Sequence, residues 1–128
     1  MKEPSEEVDR LAKSVIGAAI EVHRHLGPGY LESVYEEALG IELTLRDISF
    51  DCQKSVAVSY KGHSVGEGRL DLLVENLLIV ELKTVEAFAE IHKAQVISYL
   101  KATNLQLGLL INFNVPVLKQ GIKRVVLT

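Results

Sequence analysis

The chain has 128 residues, of which 48% are hydrophobic and 24% charged, and its formal net charge at pH 7 is −3. This length predicts one domain with a sizeable core, and the apolar content leaves room for an oligomer interface. The single cysteine, Cys52, excludes an internal disulfide and is compatible with a reducing compartment. The acidic balance excludes a global attraction to nucleic acid, so any phosphate-binding surface must be a local patch.

No apolar run approaches the roughly 20 residues that a membrane-spanning helix needs. The first ten residues, MKEPSEEVDR, do not have the pattern of a secretory signal. We therefore expect a soluble cytoplasmic protein without membrane contact, folded as a single domain over residues 1–128.

The first half of the chain predicts two helices. Apolar residues recur every three to four positions over residues 5–26, where Ser5 suits the N-cap and Gly27-Pro28-Gly29 should end the helix. A second helix is predicted over residues 31–46. The buried stripe expected for the first helix is Val8, Leu11, Val15, Ala19, Val22 and Leu26, and that of the second is Leu31, Val34, Ala38, Ile41 and Leu45.

The second half predicts strands and one further helix. Phe50 to Tyr60 alternates apolar and polar residues, which indicates a strand with one face in water, and Lys61-Gly62-His63 should form a turn. Residues 69–83, RLDLLVENLLIVELK, predict two strands folded back on each other around Glu75-Asn76. The elements expected after them are a helix over residues 86–102 with Ala87, Ile91, Ala94 and Ile97 facing inward, a strand over 105–113, a loop over 114–120 and a strand over 122–127.

This order of elements predicts the fold class. Three consecutive strands suggest an antiparallel meander, and the long helix before a further strand suggests a crossover connection. The two strands within residues 69–83 are apolar on both faces, which places them in the middle of a sheet that is covered on both sides. We therefore expect an α/β fold in which helices flank a mixed sheet.

Three charged residues, Asp71, Glu81 and Lys83, lie inside these apolar strands, where burial is costly unless a charge is paired or binds a metal ion. Glu81 and Lys83 are two apart and share a strand face. Asp71 and Glu81 are each five residues from Asn76, so a loop with an odd number of residues would place them opposite each other. A divalent cation would turn their repulsion into coordination. A two-residue loop would instead put them on opposite faces.

Helical spacing singles out further polar residues. Glu32 lies in the first turn of the second helix, three residues before Tyr35, where an acid also suits the positive end of a helix. Gln95 and Tyr99 are four apart on the third helix and share a face. On spacing alone, that pair is more typical of a core boundary, with the tyrosine ring inside and its hydroxyl in water.

This set of residues resembles the PD-(D/E)XK nuclease superfamily. Asp71 followed by Glu81-Leu82-Lys83, in a hairpin before a helix, is similar to the site motif of that superfamily. The superfamily's motif often begins with Pro-Asp, whereas Arg69-Leu70 precede Asp71 here. The resemblance extends from about Val15 to Arg124 and implies a restriction-endonuclease-like fold.

Two shorter motifs resemble particular branches of the superfamily. Gln95 and Tyr99 are similar to the Q-x-x-x-Y helix motif of the RecB-like branch. The segment from Gly29 to Tyr35, with Glu32 at its centre, matches the G-x-x-E-x-x-Y signature of the small GxxExxY family.

The resemblance implies a metal-dependent nuclease that hydrolyses phosphodiester bonds, preferentially in DNA, with Mg²⁺ or Mn²⁺ activating a water. The implied ligands are Asp71, Glu81, the Leu82 backbone carbonyl and Glu32, with His23 as a further candidate. Lys83 would orient the water or stabilise developing negative charge. Gln95 and Tyr99 would orient the site or contact the nucleic-acid backbone.

Other interpretations remain open at this point. The chain could instead be a catalytically weak or inactive nucleic-acid-binding or regulatory module, a homodimer or a subunit of a larger complex. Asp71, Glu81 and Lys83 could form a cross-strand ion-pair cluster without catalysis. The candidate phosphate contacts, each of which is also explained as a solvated surface charge, are Lys93, Lys101, Lys119, Lys123 and Arg124.

Overall fold

A five-stranded mixed sheet with helices on both faces forms the protein in the computed structural model, which describes residues 3–127. Met1, Lys2 and Thr128, at the two ends of the expected domain, lie outside the described residues. The elements are α1 Glu6–Leu26, α2 Glu32–Leu45, β1 Phe50–Tyr60, β2 His63–Val74, β3 Leu78–Lys83, α3 Glu90–Thr103, β4 Leu107–Asn112, a 3-10 helix Leu118–Gly121 and β5 Ile122–Val126. The predicted order is confirmed, with the 3-10 helix replacing part of the predicted loop.

The strands follow one another across the sheet in sequence order. β1, β2 and β3 form the predicted antiparallel meander, β4 lies parallel to β3, and β5 is antiparallel to β4. α3 therefore makes the predicted crossover between β3 and β4. In the part of the chain that the structure describes, no helix has the length and apolarity to cross a membrane.

Two hydrophobic cores lie on the two faces of the sheet. Leu72, Val74 and Val80 pack on one face with residues of α1 and α2. Leu73 and Ile79 pack on the other face with Val96 and Leu100 of α3. The three-layer α/β architecture expected from strands that are apolar on both faces is therefore confirmed.

The structure of the α1 helix agrees closely with the prediction from the sequence. The Val8 backbone N–H donates to the Ser5 hydroxyl at 3.3 Å, which confirms the N-cap. The helix ends at Leu26, before Gly27 with φ of 69°. Of its predicted stripe, Val8, Val15, Ala19 and Val22 are buried, whereas Leu11 and Leu26 are half-buried.

The buried stripe predicted for α2 is wrong. Leu31, Val34, Ile41 and Leu45 are 76%, 38%, 61% and 75% exposed, and Ala38 is half-buried. The residues that α2 buries are Tyr35, Leu39, Gly40 and Leu43. The helix has two apolar stripes, and the one that carries the aromatic ring faces the core, because that ring stacks on Phe113 with a centroid separation of 4.4 Å.

The inward face predicted for α3 is also wrong. The helix begins at Glu90, after Ala87, and it leaves Ala94 exposed and Ile91 70% exposed. Its buried residues are Val96 and Leu100, while Ile97 is half-buried.

Two glycines explain which face of α3 contacts the sheet. A Cβ on Gly108 of β4 would lie 2.5 Å from Val96 Cγ1, and one on Gly68 of β2 would lie 2.5 Å from Tyr99 Cε1. Side chains larger than hydrogen would therefore clash at both positions. The glycines select the Val96 and Tyr99 side of the helix as the contact face.

β1 and β2 extend far beyond the rest of the sheet. They pair along nearly their whole length, whereas β3 pairs only with Leu72–Val74 of β2. Residues 54–70 therefore form a two-stranded ribbon, which turns at Lys61-Gly62. The prediction of one wet face on β1 understates the exposure, since beyond the buried Val56 both strands are exposed as far as Glu67.

Tyr35 fixes the connection between α1 and α2. Its hydroxyl donates to the Gly27 carbonyl at 2.5 Å and accepts from the Tyr30 backbone N–H at 3.2 Å. The side chain is fully buried. Because Glu32 begins α2 directly after this connection, Tyr35 determines where Glu32 lies.

Tyr35→Phe should lower the free energy of unfolding by about 1–2 kcal/mol, because it removes a partner from two part-buried backbone groups. Tyr60→Phe is the matched control, since Tyr60 is 62% exposed and should change stability little. Urea unfolding followed by circular dichroism measures both. Equal losses in the two variants would contradict the anchoring role of Tyr35.

Candidate metal centre

Asp71 and Glu81 lie opposite each other where β2 and β3 separate. The loop between the strands has three residues, Glu75 to Leu77, and the register pairs Val74 with Leu78 and Leu72 with Val80. Asn76 is therefore the centre of the hairpin, as the odd-loop hypothesis required. The paired register ends at Leu72 and Val80, one residue before the two carboxylates.

The two carboxylates take the place of the next hydrogen bonds between the strands. The Asp71 N–H donates to Glu81 Oε2 at 2.7 Å, and the Leu82 N–H donates to Asp71 Oδ2 at 2.8 Å. Each side chain is thereby fixed by the backbone of the opposite strand. The second oxygen of Asp71, Oδ1, has a long contact of 3.4 Å with Gln53 Nε2.

The sheet is also irregular on the other side of Asp71. Gln53 of β1 has φ of 52°, and the Gln53–Asp71 pair is missing although the pairs on either side keep one register. Leu70 packs with the α3 core and Leu72 with the α1 and α2 core, although residues two apart normally share a face. The strand therefore changes face at Asp71, which opens the sheet at this position.

Sequence reasoning missed two residues of this site, Glu36 and Gln53. Gln53 Nε2 donates to Glu36 Oε1 at 2.8 Å and so joins α2 to the position of Asp71. Glu36 follows Glu32 by four residues, so helical spacing could have found it. The positive φ of Gln53, by contrast, has no signal in the sequence.

Glu81 is the most strongly perturbed acid of the site. It is 3% exposed, and its pKa is raised from 4.5 to about 8. Burial is the main cause and the charge of Asp71 is the second, while the hydrogen bond from the Asp71 N–H and the charge of Lys83 act in the opposite direction. The charge of Glu32 also raises the pKa of Glu81. A positive charge beside this carboxyl would therefore stabilise its ionised form.

Glu36 shows the same tendency more weakly. Burial raises its pKa, the hydrogen bond from Gln53 lowers it, and the charges of Asp71, Glu37 and Glu32 raise it again. The electrostatics thus connect acids of α2 with acids of β2 and β3. The structure brings Glu32, Glu36, Asp71 and Glu81 into one electrostatic neighbourhood.

Lys83 does not form an ion pair with any of these four acids. Within residues 3–127, the ion pairs closer than 4.0 Å do not include Lys83, Asp71 or Glu81. The cross-strand ion-pair cluster considered from the sequence is therefore not formed. Lys83 acts on Glu81 only through its charge.

The other candidate residues lie in different surroundings. Glu32 and Gln95 are exposed, and Tyr99 is half-buried with its ring over Gly68. His23 is 7% exposed, and its Nε2 is 2.8 Å from the Val115 carbonyl, to which it donates a hydrogen bond. This contact gives His23 a structural role between α1 and the segment after β4.

The donor set fits a hard divalent cation. Mg²⁺ prefers oxygen ligands and is usually held by one or two carboxylates together with waters and substrate phosphates. Asp71 and Glu81 supply two fixed carboxylates, one of which is destabilised in its charged form without a cation. Within residues 3–127, however, no three His, Cys, Asp or Glu side chains are arranged to hold an ion together.

Comparison with known families agrees with this fold. A model of the PD-(D/E)XK nuclease superfamily matches residues 9–125. The chain belongs to this superfamily. Its three helices and mixed five-stranded sheet are consistent with the restriction-endonuclease-like fold, and PD-(D/E)XK nucleases generally use divalent metal ions, typically Mg²⁺. The searches of curated proteins and of solved structures gave no match.

Without metal ions, the protein should lose stability as the pH rises from about 5 to about 8. Glu81 binds a proton more tightly in the folded state, where its pKa is about 8, than at its ordinary value of 4.5. Its stabilising contribution is therefore full below pH 4.5 and is lost as the pH rises through 8. Urea unfolding in EDTA at several pH values measures the slope.

Glu81→Gln should flatten this slope and be more stable than the wild type at the alkaline end. Glu86→Gln is the control, since Glu86 is exposed, and should keep the wild-type slope. A Glu81→Gln protein with an unchanged slope would show that another group is responsible.

Proposed function

We propose that the protein is a metal-dependent nuclease that hydrolyses phosphodiester bonds, preferentially in DNA, with Mg²⁺ or Mn²⁺ held at Asp71 and Glu81. The observation that carries this proposal is the opposed pair of carboxylates, fixed by backbone hydrogen bonds where β2 and β3 separate. Membership in a nuclease superfamily supports it. The finer assignment to the GxxExxY family and the RecB-like branch rests on the two sequence motifs alone.

The metal ion and the residues that hold it would have separate roles. When bound, the divalent ion would lower the pKa of a water and neutralise charge on the phosphodiester. Asp71 and Glu81 would hold the ion, with the Leu82 carbonyl as a further ligand. The N–H groups of Asp71 and Leu82 already orient both carboxylates, so little rearrangement is needed for binding.

Three other residues would act on the substrate. Lys83 has no ion-pair partner within 4.0 Å in the described part of the chain, so its charge is available to orient water or stabilise negative charge developing on the phosphate. Gln95 and Tyr99 lie on α3, whose Tyr99 ring covers Gly68 of β2. We assign these two to orienting the site or contacting the nucleic-acid backbone.

Glu32 and Glu36 would complete the acidic side of the site from α2. They are four residues apart and share a helix face. The charge of Glu32 raises the pKa of both Glu81 and Glu36, and the charge of Asp71 raises the pKa of Glu36. We propose that they bind the ion through waters, since the described residues bring no third side chain into direct ligand geometry.

The ribbon supplies a basic surface next to the carboxylates. It carries three basic residues, Lys54, Lys61 and Arg69, and one acidic residue, Glu67, in a chain whose net charge is −3. All four side chains are exposed, and the ribbon begins beside Asp71. At about 3.3 Å per residue, its β1 strand reaches roughly 20 Å beyond the site. We propose that the ribbon holds the phosphate backbone of the substrate.

The earlier candidate phosphate contacts remain candidates for this role, except for one that already has a partner. Arg124 is bound to Asp9 at 2.6 Å, and Lys93, Lys101, Lys119 and Lys123 are exposed on α3, the 3-10 helix and β5.

A second candidate function, nucleic-acid binding without catalysis, is favoured by the absence of a three-residue ligand group within residues 3–127. Metal binding at Asp71 and Glu81 distinguishes the two functions.

Asp71→Asn should abolish both Mg²⁺ binding and DNA cleavage, because it removes a charged ligand while keeping the side-chain shape. Calorimetric titration of Mg²⁺ and Mn²⁺, with cleavage of single- and double-stranded DNA and RNA followed in parallel, measures both. Asp47→Asn is the matched control, because Asp47 is exposed in the loop after α2 and should leave both properties unchanged.

Lys83→Met should keep metal binding and lower the cleavage rate by about 100-fold or more, as expected when one charge that stabilises the transition state is removed. Metal binding without cleavage in the wild type would favour the non-catalytic module. A wild type that binds no metal at millimolar concentration would contradict the proposed metal centre.

Replacing Lys54 and Lys61 together by Glu should weaken DNA binding by about tenfold or more in a buffer with Ca²⁺. The slope of log K against log salt should shrink by about 0.9 for each lost contact with duplex phosphate. The Arg10→Glu, Lys13→Glu double variant carries the same change of charge on exposed residues of α1. An equal loss in both would show that only net charge matters and would contradict a binding role of the ribbon.

A further inference from the structure

The second apolar stripe of α2 lies uncovered on the surface. We name Leu31, Val34, Ala38, Ile41 and Leu45 the α2 seam; its four larger members are 38% to 76% exposed. The described parts of α1 and α3 together expose only one large hydrophobic residue, Ile91. The helix cannot rotate to bury the seam, because its opposite side already fills the core with Tyr35, Leu39 and Leu43.

The spacing of the α2 seam indicates the shape of what covers it. Its residues are separated by intervals of three, four, three and four, which is the a/d pattern of a coiled coil. At 1.5 Å per residue the seam is about 21 Å long and only one stripe wide. A surface of this form fits the apolar stripe of a second helix.

We propose that the α2 seam packs against the same seam of a second copy of the chain, with the two helices antiparallel. In one antiparallel register, Ala38 lies opposite Ile41 of the second copy, and Val34 lies opposite Leu45. Each layer then combines a smaller with a larger side chain, which is the arrangement that fills a helix interface without gaps. The two-fold axis repeats each layer on its other side, so the α2 seam is complementary to the same seam of the second copy.

The charges beside the seam select this direction. Glu37 and Glu42 lie on the two sides of the seam, at the positions that face a partner helix across its edges. Parallel helices would bring Glu37 next to Glu42 of the second copy, where like charges repel. The antiparallel register brings Glu37 next to Thr44 instead, and Glu42 stays bound to Arg46 of its own helix at 2.8 Å.

Grooves on both sides of the seam give room for the side chains of a second helix. One groove of about 300 Å³ lies between α2 and β1 and is lined by Gly40, Ile41, Leu45 and Phe50 among others. The other, of about 180 Å³, lies between α1 and α2. Ile41 lines both grooves and stands between them, so it is the central contact of the proposed interface.

The proposed dimer leaves both metal centres open. Glu32 and Glu36 lie on the side of α2 that faces the sheet, since their charges act on residues of β2 and β3, whereas the seam lies on the other side. The dimer does not rest on the proposed nuclease activity. Its test therefore measures oligomeric state and not cleavage.

Analytical ultracentrifugation of the full chain over about 1–100 μM should show a dimer. The Ile41→Glu, Leu45→Glu double variant should be monomeric with an unchanged circular dichroism spectrum, because both side chains are already exposed. Ile91→Glu is the control, because Ile91 is an exposed isoleucine on α3 outside the seam, and this variant should stay dimeric. A monomeric wild type at 100 μM, or a dimer that survives the double variant, would overturn the proposal.

Crosslinking tests the direction of the helices. In a Cys52→Ser background, which removes the native thiol, Ala38→Cys should be joined by a short bismaleimide. Leu31→Cys should not, because the antiparallel register separates the two copies of residue 31 by about 25 Å along the helix axis. Crosslinking at both positions would show parallel helices and overturn the antiparallel arrangement, as would crosslinking at neither.

Discussion

The reciprocal hydrogen bonds between two carboxylates and the opposite backbone are the constraint on which the site depends. Glu81 accepts from the Asp71 N–H and Asp71 accepts from the Leu82 N–H, so each acid occupies a place that a backbone carbonyl would take in a regular ladder. The strands can separate here without leaving these N–H groups unpaired. The cost of the arrangement appears at Glu81, whose charged form is poorly stabilised without a cation. Folding is therefore linked to the protonation of one side chain and, under the proposed function, to ion binding.

The rest of the molecule keeps this opening in place. Gln53, with its left-handed backbone conformation, interrupts the ladder on one side of Asp71 and connects it with Glu36 of α2. Tyr35 holds the start of α2 by its bonds to the connection with α1. The circumference of α2 is thus divided into three surfaces. One packs in the core, one carries acids toward the sheet, and one is the uncovered seam.

The sequence predicts the order of the elements and the crossover from local periodicity. By counting residues around Asn76, it also predicts opposed carboxylates for a loop with an odd number of residues, whereas a two-residue loop remained an alternative. It does not predict which stripe of α2 or α3 is buried. On α2, two apolar stripes compete, and stacking of Tyr35 on Phe113 decides between them. On α3, Gly68 and Gly108 decide, because they lie on distant strands and admit only one helix face. The role of Gln53 could not be predicted, because it arises from the positive φ of its backbone, for which the sequence has no signal.

The three-residue loop of the β2–β3 hairpin has a consequence for how this site can be lost. Both faces of these strands are apolar, so a slip by one residue would still bury hydrophobic side chains and would be only weakly opposed by the core. The length of the loop and the carboxylate bonds are what define the register. Shortening the loop by one residue would leave a foldable sheet with its acids on opposite faces. In evolution, such a deletion would dismantle the carboxylate pair in one step, without passing through an unfolded protein.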